Sequence, residues 1–413
     1  MNQSNISDMH DCYGCGVCSK SCPVHIIDIK LNRKGFYEPY ITDPDRCTHC
    51  GLCRDVCAFI KDDLAVCNKP LASYAVWSKD HRVQRKCSSG GAGLEIALYL
   101  LKQGYKTIGV RYNAEKGRAE HFVASTIEEL VQTAGSKYIQ SYPVDGWRGV
   151  DRKNKYLVTG SPCQIDSFRT YMKRMRLPEE NFILLDFFCH GVPSMNAWKK
   201  YVDFVEKKTG KITYASWRNK FTGWHDSWAM GIDGKVHGEK IDWHDSYNML
   251  IREKKSYYQS QMSKGDKFYA LFLGDCCLGD QCYHHCKYKY DHSSADIRIC
   301  DLWGKTYQDN QDGVSGAVAF TEKGKDVLQR INCQLTEQPF DVVAEGQMKV
   351  CPPYKFWYKK IEDSLSDPSK DIDDAIDIIN KQRQKARWNN RFRHPFRTSY
   401  HMIKKLLLVL FHQ

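Results

Sequence analysis

No stretch of this 413-residue sequence approaches the ~20 consecutive apolar residues a bilayer-spanning helix requires; none exceeds six, the length of Leu406 to Phe411. A spanning helix is therefore not expected. Residues Met1 to Asp11 are polar and have nothing of the apolar core of a signal peptide, so export is not expected either. Acids are missing from residues 381 to 413, which hold nine Lys or Arg, while residues 362 to 377 hold seven acids and one lysine. The formal net charge of +12 is thus largely the charge of a segregated tail. At 42% hydrophobic residues the chain can fill the cores of two or three domains.

Against those absences stand 19 cysteines. Eight form two matched runs, Cys12, Cys15, Cys18, Cys22 and Cys47, Cys50, Cys53, Cys57, each spaced C-x-x-C-x-x-C-x-x-x-C and offset by 35 residues, which marks an internal duplication. Three thiolates at that spacing fit three corners of an iron-sulfur cube on one tight loop and leave the fourth to a cysteine from elsewhere. In the two-cluster bacterial ferredoxin pattern the fourth ligand is crossed. That assigns Cys12, Cys15, Cys18 and Cys57 to one 4Fe-4S cluster, and Cys47, Cys50, Cys53 and Cys22 to the other. Gly16 and Gly51 follow the second cysteine of each run, where the backbone must crowd the inorganic sulfides. Pro23 follows Cys22 as the pattern expects, whereas Ala58 follows Cys57. C-x-x-C repeats also bind zinc, but a zinc pair needs neither the third step nor the crossed symmetry. Many cysteines without an export signal point to a reducing compartment rather than to disulfides, so the expected location is cytoplasmic.

Beyond the first sixty-four residues the chain alternates strand and helix. Ser73–Ser78, Thr107–Arg111, Lys155–Thr159 and Phe182–Cys189 read as strands; Gly93–Lys102, Ile127–Thr133, Ile165–Met175 and Asn196–Lys207 read as helices. This predicts an α/β body with a largely parallel sheet. Residues 212 to 240, with turns such as Asp233-Gly234, predict an antiparallel excursion. Three strand-to-helix loops are unusual: Cys87 to Gly91, Gly160 to Gln164 and Cys189 to Ser194. Ligands of α/β domains sit at such junctions, although glycine and serine before a helix also serve simply as cap and turn. Cys163, near a helix N-terminus, is expected to have a lowered thiol pKa suited to a metal ligand or reactive thiol, the alternative being an inert buried cysteine.

In order along the chain, S-S-G-G at Ser88 to Gly91, G-S-K-Y at Gly135 to Tyr138, G-S-P-C-Q at Gly160 to Gln164, C-H-G-V-P-S at Cys189 to Ser194 and A-D-I-R-I-C-D-L-W-G at Ala295 to Gly304 resemble the beta subunits of coenzyme F420 hydrogenases and dehydrogenases. The resemblance covers roughly residues 70 to 330, and it implies an FAD protein exchanging electrons between iron-sulfur clusters and a two-electron organic acceptor. On that resemblance Ser89, Gly90 and Gly91 line the FAD phosphates, Lys137 and Tyr138 neutralise and pack on the cofactor, and Pro162, Cys163 and Gln164 lie close to the flavin. It also implies a third cluster at Cys276, Cys277, Cys282 and Cys286, with Cys282 and Cys286 as ligands completed by Cys163, Cys189 or Cys277. Structural zinc, favoured by the interleaved His284, His285 and His292, and unligated thiols remain the alternatives. Cys300 stands where the family has glycine, as a spare thiol or an extra ligand.

The fold class expected is an α+β ferredoxin module (residues 1–64) followed by an α/β flavin-binding body, with the beta-subunit N-terminal region at 70–150 and its C-terminal region at 151–330. A C-terminal extension with a basic helical tail fills 331–413. Clusters carry single electrons and a flavin pairs them, so the expected activity is an FAD-dependent iron-sulfur oxidoreductase. It would take electrons from a ferredoxin or redox partner subunit to reduce a small organic substrate, or run in reverse. His190 is the candidate catalytic proton donor, the alternative being a histidine hydrogen-bonded within its turn. An electron-relay subunit without its own substrate and a reductase of surface-polysaccharide synthesis are the competing functions. The tail interleaves Arg383, Lys385, Arg387, Arg391, Arg393 and Arg397 with Trp388, Phe392 and Phe396, and Ile403 to Phe411 is mostly apolar. It is expected either to touch an anionic membrane surface or to dock a partner. No nucleic acid is expected, because the composition of the tail fits one but the redox body does not.

Overall fold

The computed structural model describes residues 5–61, 69–238 and 256–393. The last three residues assigned to the ferredoxin module, the end of the 212 to 240 excursion, and Phe396, Arg397 and Ile403 to Phe411 of the tail lie outside the described residues.

The first module pairs two antiparallel strands, β1 (Ile27–Leu31) and β2 (Tyr37–Ile41), beside two short helices, Val17–Ser21 and Leu52–Asp55. Each helix starts from a glycine in the left-handed region, Gly16 at φ 67° and Gly51 at φ 74°, a conformation that residues with a Cβ rarely adopt. The body follows with β3 (Ala72–Ser78), β4 (Tyr105–Asn113), β5 (Arg118–Ala124), β6 (Ser141–Tyr142), β7 (Lys155–Thr159) and β8 (Phe182–Phe187). Next come β9 (Ile212–Ser216), β10 (Ala229–Gly234) and β11 (Tyr258–Gln261), then β12 (Ile297–Asp301), β13 (Ser315–Ala319) and β14 (Cys333–Glu337). Strands β9 to β11 form the expected antiparallel excursion, in which Asp233 and Gly234 belong to β10, at a register shift, rather than to a turn.

The other nine body strands make one sheet in the order β14-β3-β13-β12-β8-β7-β4-β5-β6. It is mixed, not largely parallel. The β4–β7, β7–β8, β8–β12 and β5–β6 ladders are parallel; β4–β5, β12–β13, β13–β3 and β3–β14 are antiparallel. The reason is local at β4 and β5. Only Ala114 to Gly117 connect them, a hairpin too short for the crossover that parallel neighbours need.

Strands β7 and β8 are almost wholly buried, as their continuous apolar runs require of central strands covered on both faces. The helix Ala92–Lys102 covers one face through Leu94, Ile96 and Leu100, and the helix Pro162–Arg174 covers the other through Ile165, Phe168 and Tyr171. Val17 and Val56 of the first module join that second core, so the module is packed onto the body through shared apolar burial. The helix Ile372–Arg393 buries Ile372, Ala375 and Ile379 with the helix Met195–Thr209, and Trp388 further along it is 59% exposed. Among the described residues no helix is long and apolar enough to cross a membrane.

Candidate functional site

The loop before the helix Val17–Ser21 carries Cys12 and Cys15, the helix itself carries Cys18, and Cys57 follows the helix Leu52–Asp55. Burial pushes the thiols of Cys12, Cys15 and Cys18 up, Cys15 to about 11, and the charge of Cys57 pushes each the same way, which places all four together. Buried thiols that repel one another's charge make a costly interior unless a multi-iron cation shares them, and this donor set fits a 4Fe-4S cluster. Cys22, Cys47, Cys50 and Cys53 line a single cleft, together with Pro23, Thr48 and Gly51. Cys53 is pushed up to about 11 by burial, while Cys50 is exposed at the surface.

A further thiol set lies in the body. Cys163 opens the helix after β7, Cys189 follows β8, and Cys282 and Cys286 lie in and just after the helix Asp280–His284. Burial raises Cys163, Cys189 and Cys282, the last to about 12. The charges of Cys189, Cys15 and Cys282 all bear on Cys163, and those of Cys189 and Cys286 bear on Cys282. The lowered pKa expected of Cys163 from its helix N-terminus is therefore reversed, because desolvation outweighs the dipole of the helix. Cys286 alone is held down, to about 6, chiefly by a hydrogen bond with Cys351 and with help from Lys289. Cys351 belongs to no spaced run, so nothing in the sequence singled it out. Cys277 stands apart from this set, beside Cys276 and Asp275. Among the described residues no three His, Cys, Asp or Glu side chains are gathered tightly enough to hold one metal ion. Tyr13 closes the space between the sets, with its hydroxyl donating to the His285 carbonyl and its ring edge-on to Phe59 and Tyr288 at 5.1 and 5.8 Å.

The G-S-P-C-Q segment is a helix start. The Gln164 Oε1 accepts from the Ser161 N–H at 2.9 Å, and Pro162 takes the first turn, where no N–H is needed. Gly90 is obliged to be glycine by its own sheet, since a Cβ there would lie 2.2 Å from the Val76 carbonyl. Ser89 Oγ donates to the Val314 carbonyl and the Gly90 N–H donates to Ser315 Oγ. Gly91 at φ 89° starts the helix Ala92–Lys102, whose first-turn N–H groups have no acceptor within the helix. Lys137 lies within electrostatic reach of Cys87 at the start of this loop, but its hydrogen bonds go elsewhere. Its ammonium donates to the carbonyls of Gln132, Thr133 and Ala134, and burial lowers it to about 7. Tyr138 does reach the site, through Arg218, a buried residue that no sequence spacing marked. The guanidinium holds Asp301 at 2.9 Å, Tyr138 Oη at 3.2 Å and the Ser88 carbonyl at 3.1 Å. It also lies 4.8 and 5.1 Å from the ring centroids of Trp228 and Trp303. An FAD fits this wall in part: the aromatic rings suit its flat ring system and the Ala92 helix start suits its diphosphate, while Lys137 is spent elsewhere.

His190 Nε2 lies 2.7 Å from Asp275 Oδ1, and its ring meets Phe272 edge-on at 5.0 Å. Phe272 in turn packs 5.5 Å from Tyr138, which links the histidine loop to the aromatic wall. Cys300 packs against Gly316, where an added Cβ would lie 2.5 Å from its sulfur, and contacts the Val343 carbonyl.

Residues 11–59 match the family model of the 4Fe-4S dicluster domain. Residues 73–146 match that of the coenzyme F420 hydrogenase/dehydrogenase beta subunit N-terminus, and residues 153–341 that of its C-terminus. No curated protein matches the chain. Among solved structures, a chain of the F420-reducing [NiFe] hydrogenase complex from Methanosarcina barkeri aligns at 16% identity. The alignment covers 78% of this chain and 94% of that one at a TM-score of 0.43, too distant a likeness to place a ligand or partner.

Proposed function

Since the chain belongs to the coenzyme F420 hydrogenase/dehydrogenase beta-subunit family, with a 4Fe-4S dicluster domain before it, we propose that it is an iron-sulfur flavoprotein oxidoreductase. It would pass electrons between its clusters and FAD for two-electron reduction or oxidation of an organic substrate or coenzyme. The observation that carries this reading is the nearness of Cys15 to Cys163. It brings a thiol of the ferredoxin pattern next to a second buried thiol set, so that electrons have an inward path.

In this reading Cys12, Cys15, Cys18 and Cys57 hold one cluster, Cys22, Cys47, Cys50 and Cys53 another, and Cys163, Cys189, Cys282 and Cys286 a third. A ferredoxin or partner subunit meets the exposed Cys50 side. Bound FAD supplies the exchange between one- and two-electron chemistry. Tyr138 and Trp228 would wall its ring, with Arg218 holding that wall to Asp301 and the Ser88 loop, and the helix start after Gly91 would receive its diphosphate. His190, whose Nε2 lies 2.7 Å from Asp275 Oδ1, would donate the proton that accompanies reduction. The protein would reside in the cytoplasm, its basic tail touching an anionic membrane surface or docking a partner. Anaerobic analysis of iron, sulfide and extracted flavin tests it. About twelve irons and about one FAD per chain are expected for three 4Fe-4S clusters; protein without flavin would refute the flavoprotein reading. Clusters and flavin that dithionite reduces, with no turnover of any organic acceptor, would favour a relay subunit.

A further inference from the structure

The two halves of the duplicated cysteine module differ at one place that the ferredoxin pattern makes regular: Pro23 follows Cys22, but Ala58 follows Cys57. The structure gives that departure a use. Ala58 is fully buried, and its N–H, which a proline would lack, donates to Ser167 Oγ at 3.3 Å. Ser167 belongs to the body, on the helix Pro162–Arg174, and is itself fully buried. A serine within a helix commonly turns its hydroxyl back to the carbonyl one turn earlier. The Ser167 oxygen instead lies 3.4 Å from Cys15 Sγ. A free Cys15 thiol would be the donor in this contact, but as an iron-bound thiolate Cys15 can only accept, so the Ser167 hydroxyl becomes the donor to the sulfur while its oxygen accepts from the Ala58 N–H.

Position on the helix gives this contact a direction. Ser167 comes four residues after Cys163, so the two share a face about 6 Å apart along the axis. One helical turn thus presents a thiol to the inner set and a hydroxyl to the ferredoxin module. The Trp147 Nε1–H, also from the body, donates to the Cys15 carbonyl at 2.9 Å and holds the same residue from its backbone side.

We propose that Ser167, oriented by the Ala58 N–H, is a positioning residue that donates a hydrogen bond to Cys15 Sγ, raises the reduction potential of the cluster held by Cys12, Cys15, Cys18 and Cys57, and fixes that cluster against Cys163. A hydrogen bond to a cluster sulfur stabilises the more negative, reduced state, and such bonds are among the factors that set cluster potentials. The inference rests on the cluster assignment made above for these four cysteines.

Anaerobic redox titration followed by electron paramagnetic resonance, on the full-length holoprotein, tests it with three variants. Ser167→Ala is expected to move the midpoint of one cluster to lower potential and leave the others in place. Ser167→Thr, which keeps the hydroxyl, is expected to restore the wild-type midpoint. Ala58→Pro, which removes the orienting N–H, is expected to shift the same cluster in the same direction by less. Full iron content in Ser167→Ala with every midpoint unmoved would overturn the proposal, since a merely structural serine would alter thermal stability and not potential. If Ser167→Ala fails to hold its iron, Ala58→Pro decides alone, because proline already occupies the twin position after Cys22; an unmoved midpoint there overturns the proposal equally. Wild-type protein without iron would instead refute the cluster assignment, and the inference would fall with it.

Discussion

In the ferredoxin module each run of four cysteines falls within eleven residues, on loops shaped by the left-handed Gly16 and Gly51, with one crossed ligand from the twin run. Around Cys163 the thiols arrive from three separate places: a helix start after β7, the end of β8, and the segment from Cys282 to Cys286. The first arrangement is covalent and local; the second exists only because β7 and β8 lie side by side and the chain returns past them about ninety residues later. Damage to a ligand in the module should therefore stay in the module. Damage to the packing of the body should reach the inner set.

The largest effect expected is on cluster content. Cys163→Ser should remove about four irons and leave the module's about eight, whereas Cys277→Ser, outside the gathered set, should remove none; iron analysis checks both. Loss of iron from the module on Cys163→Ser would break the comparison. Next comes the pair beneath the inner set. Arg298 on β12 holds Asp186 on β8 through two hydrogen bonds of 2.8 and 2.7 Å, with both side chains fully buried. Arg298→Ala strands the carboxylate and should cost about 3 to 5 kcal/mol in chemical denaturation. Arg330→Ala breaks the exposed pair with Asp326 and should leave the denaturation midpoint almost unmoved, because solvent screens the pair.

His121 on β5 offers a pH test of the body. Burial lowers its pKa from 6.5 to about 4, so the folded protein keeps it neutral where the unfolded chain would take up a proton. Its contribution is whole above pH 6.5 and is lost as the pH falls from 6.5 toward about 4, amounting to about 3 kcal/mol across that window. His121→Phe should flatten that part of the stability profile in melts at pH 7, 5.5 and 4. A smaller effect than that of Arg298 is expected at the join of the two regions. Trp147→Phe removes the hydrogen bond to the Cys15 carbonyl while keeping an aromatic ring, and should cost about 1 kcal/mol, with faster amide exchange in residues 12 to 18 than in β7.

Much of this was legible in the residues. The apolar runs of β7 and β8 mark central strands, the helix starts at Ala92 and Pro162 follow from their glycine, serine and proline, and the five ordered loop motifs mark the body as a whole. The β4–β5 hairpin was not legible, because Arg118 to Ala124 mixes charged and apolar residues and its turn is unremarkable apart from Gly117. Arg218 was hidden for a different reason. A single arginine carries no spacing signal, and only burial between Trp228 and Trp303 turns it into the clamp on Asp301, Tyr138 and the Ser88 carbonyl. The partners of Lys137 were equally illegible: its ammonium donates to the carbonyls of Gln132, Thr133 and Ala134, contacts that no motif announces.

The sequence by itself determined the two matched cysteine runs and their spacing, because spacing along the chain is short-range covalent geometry that nothing downstream can change. Which of the remaining thiols gather, and whose hydroxyl meets Cys15, was decided by tertiary structure alone. Those neighbours come from strands and helices more than a hundred residues away, and only strand pairing and the burial of a shared apolar core bring Ser167 and Cys163 to the module's side.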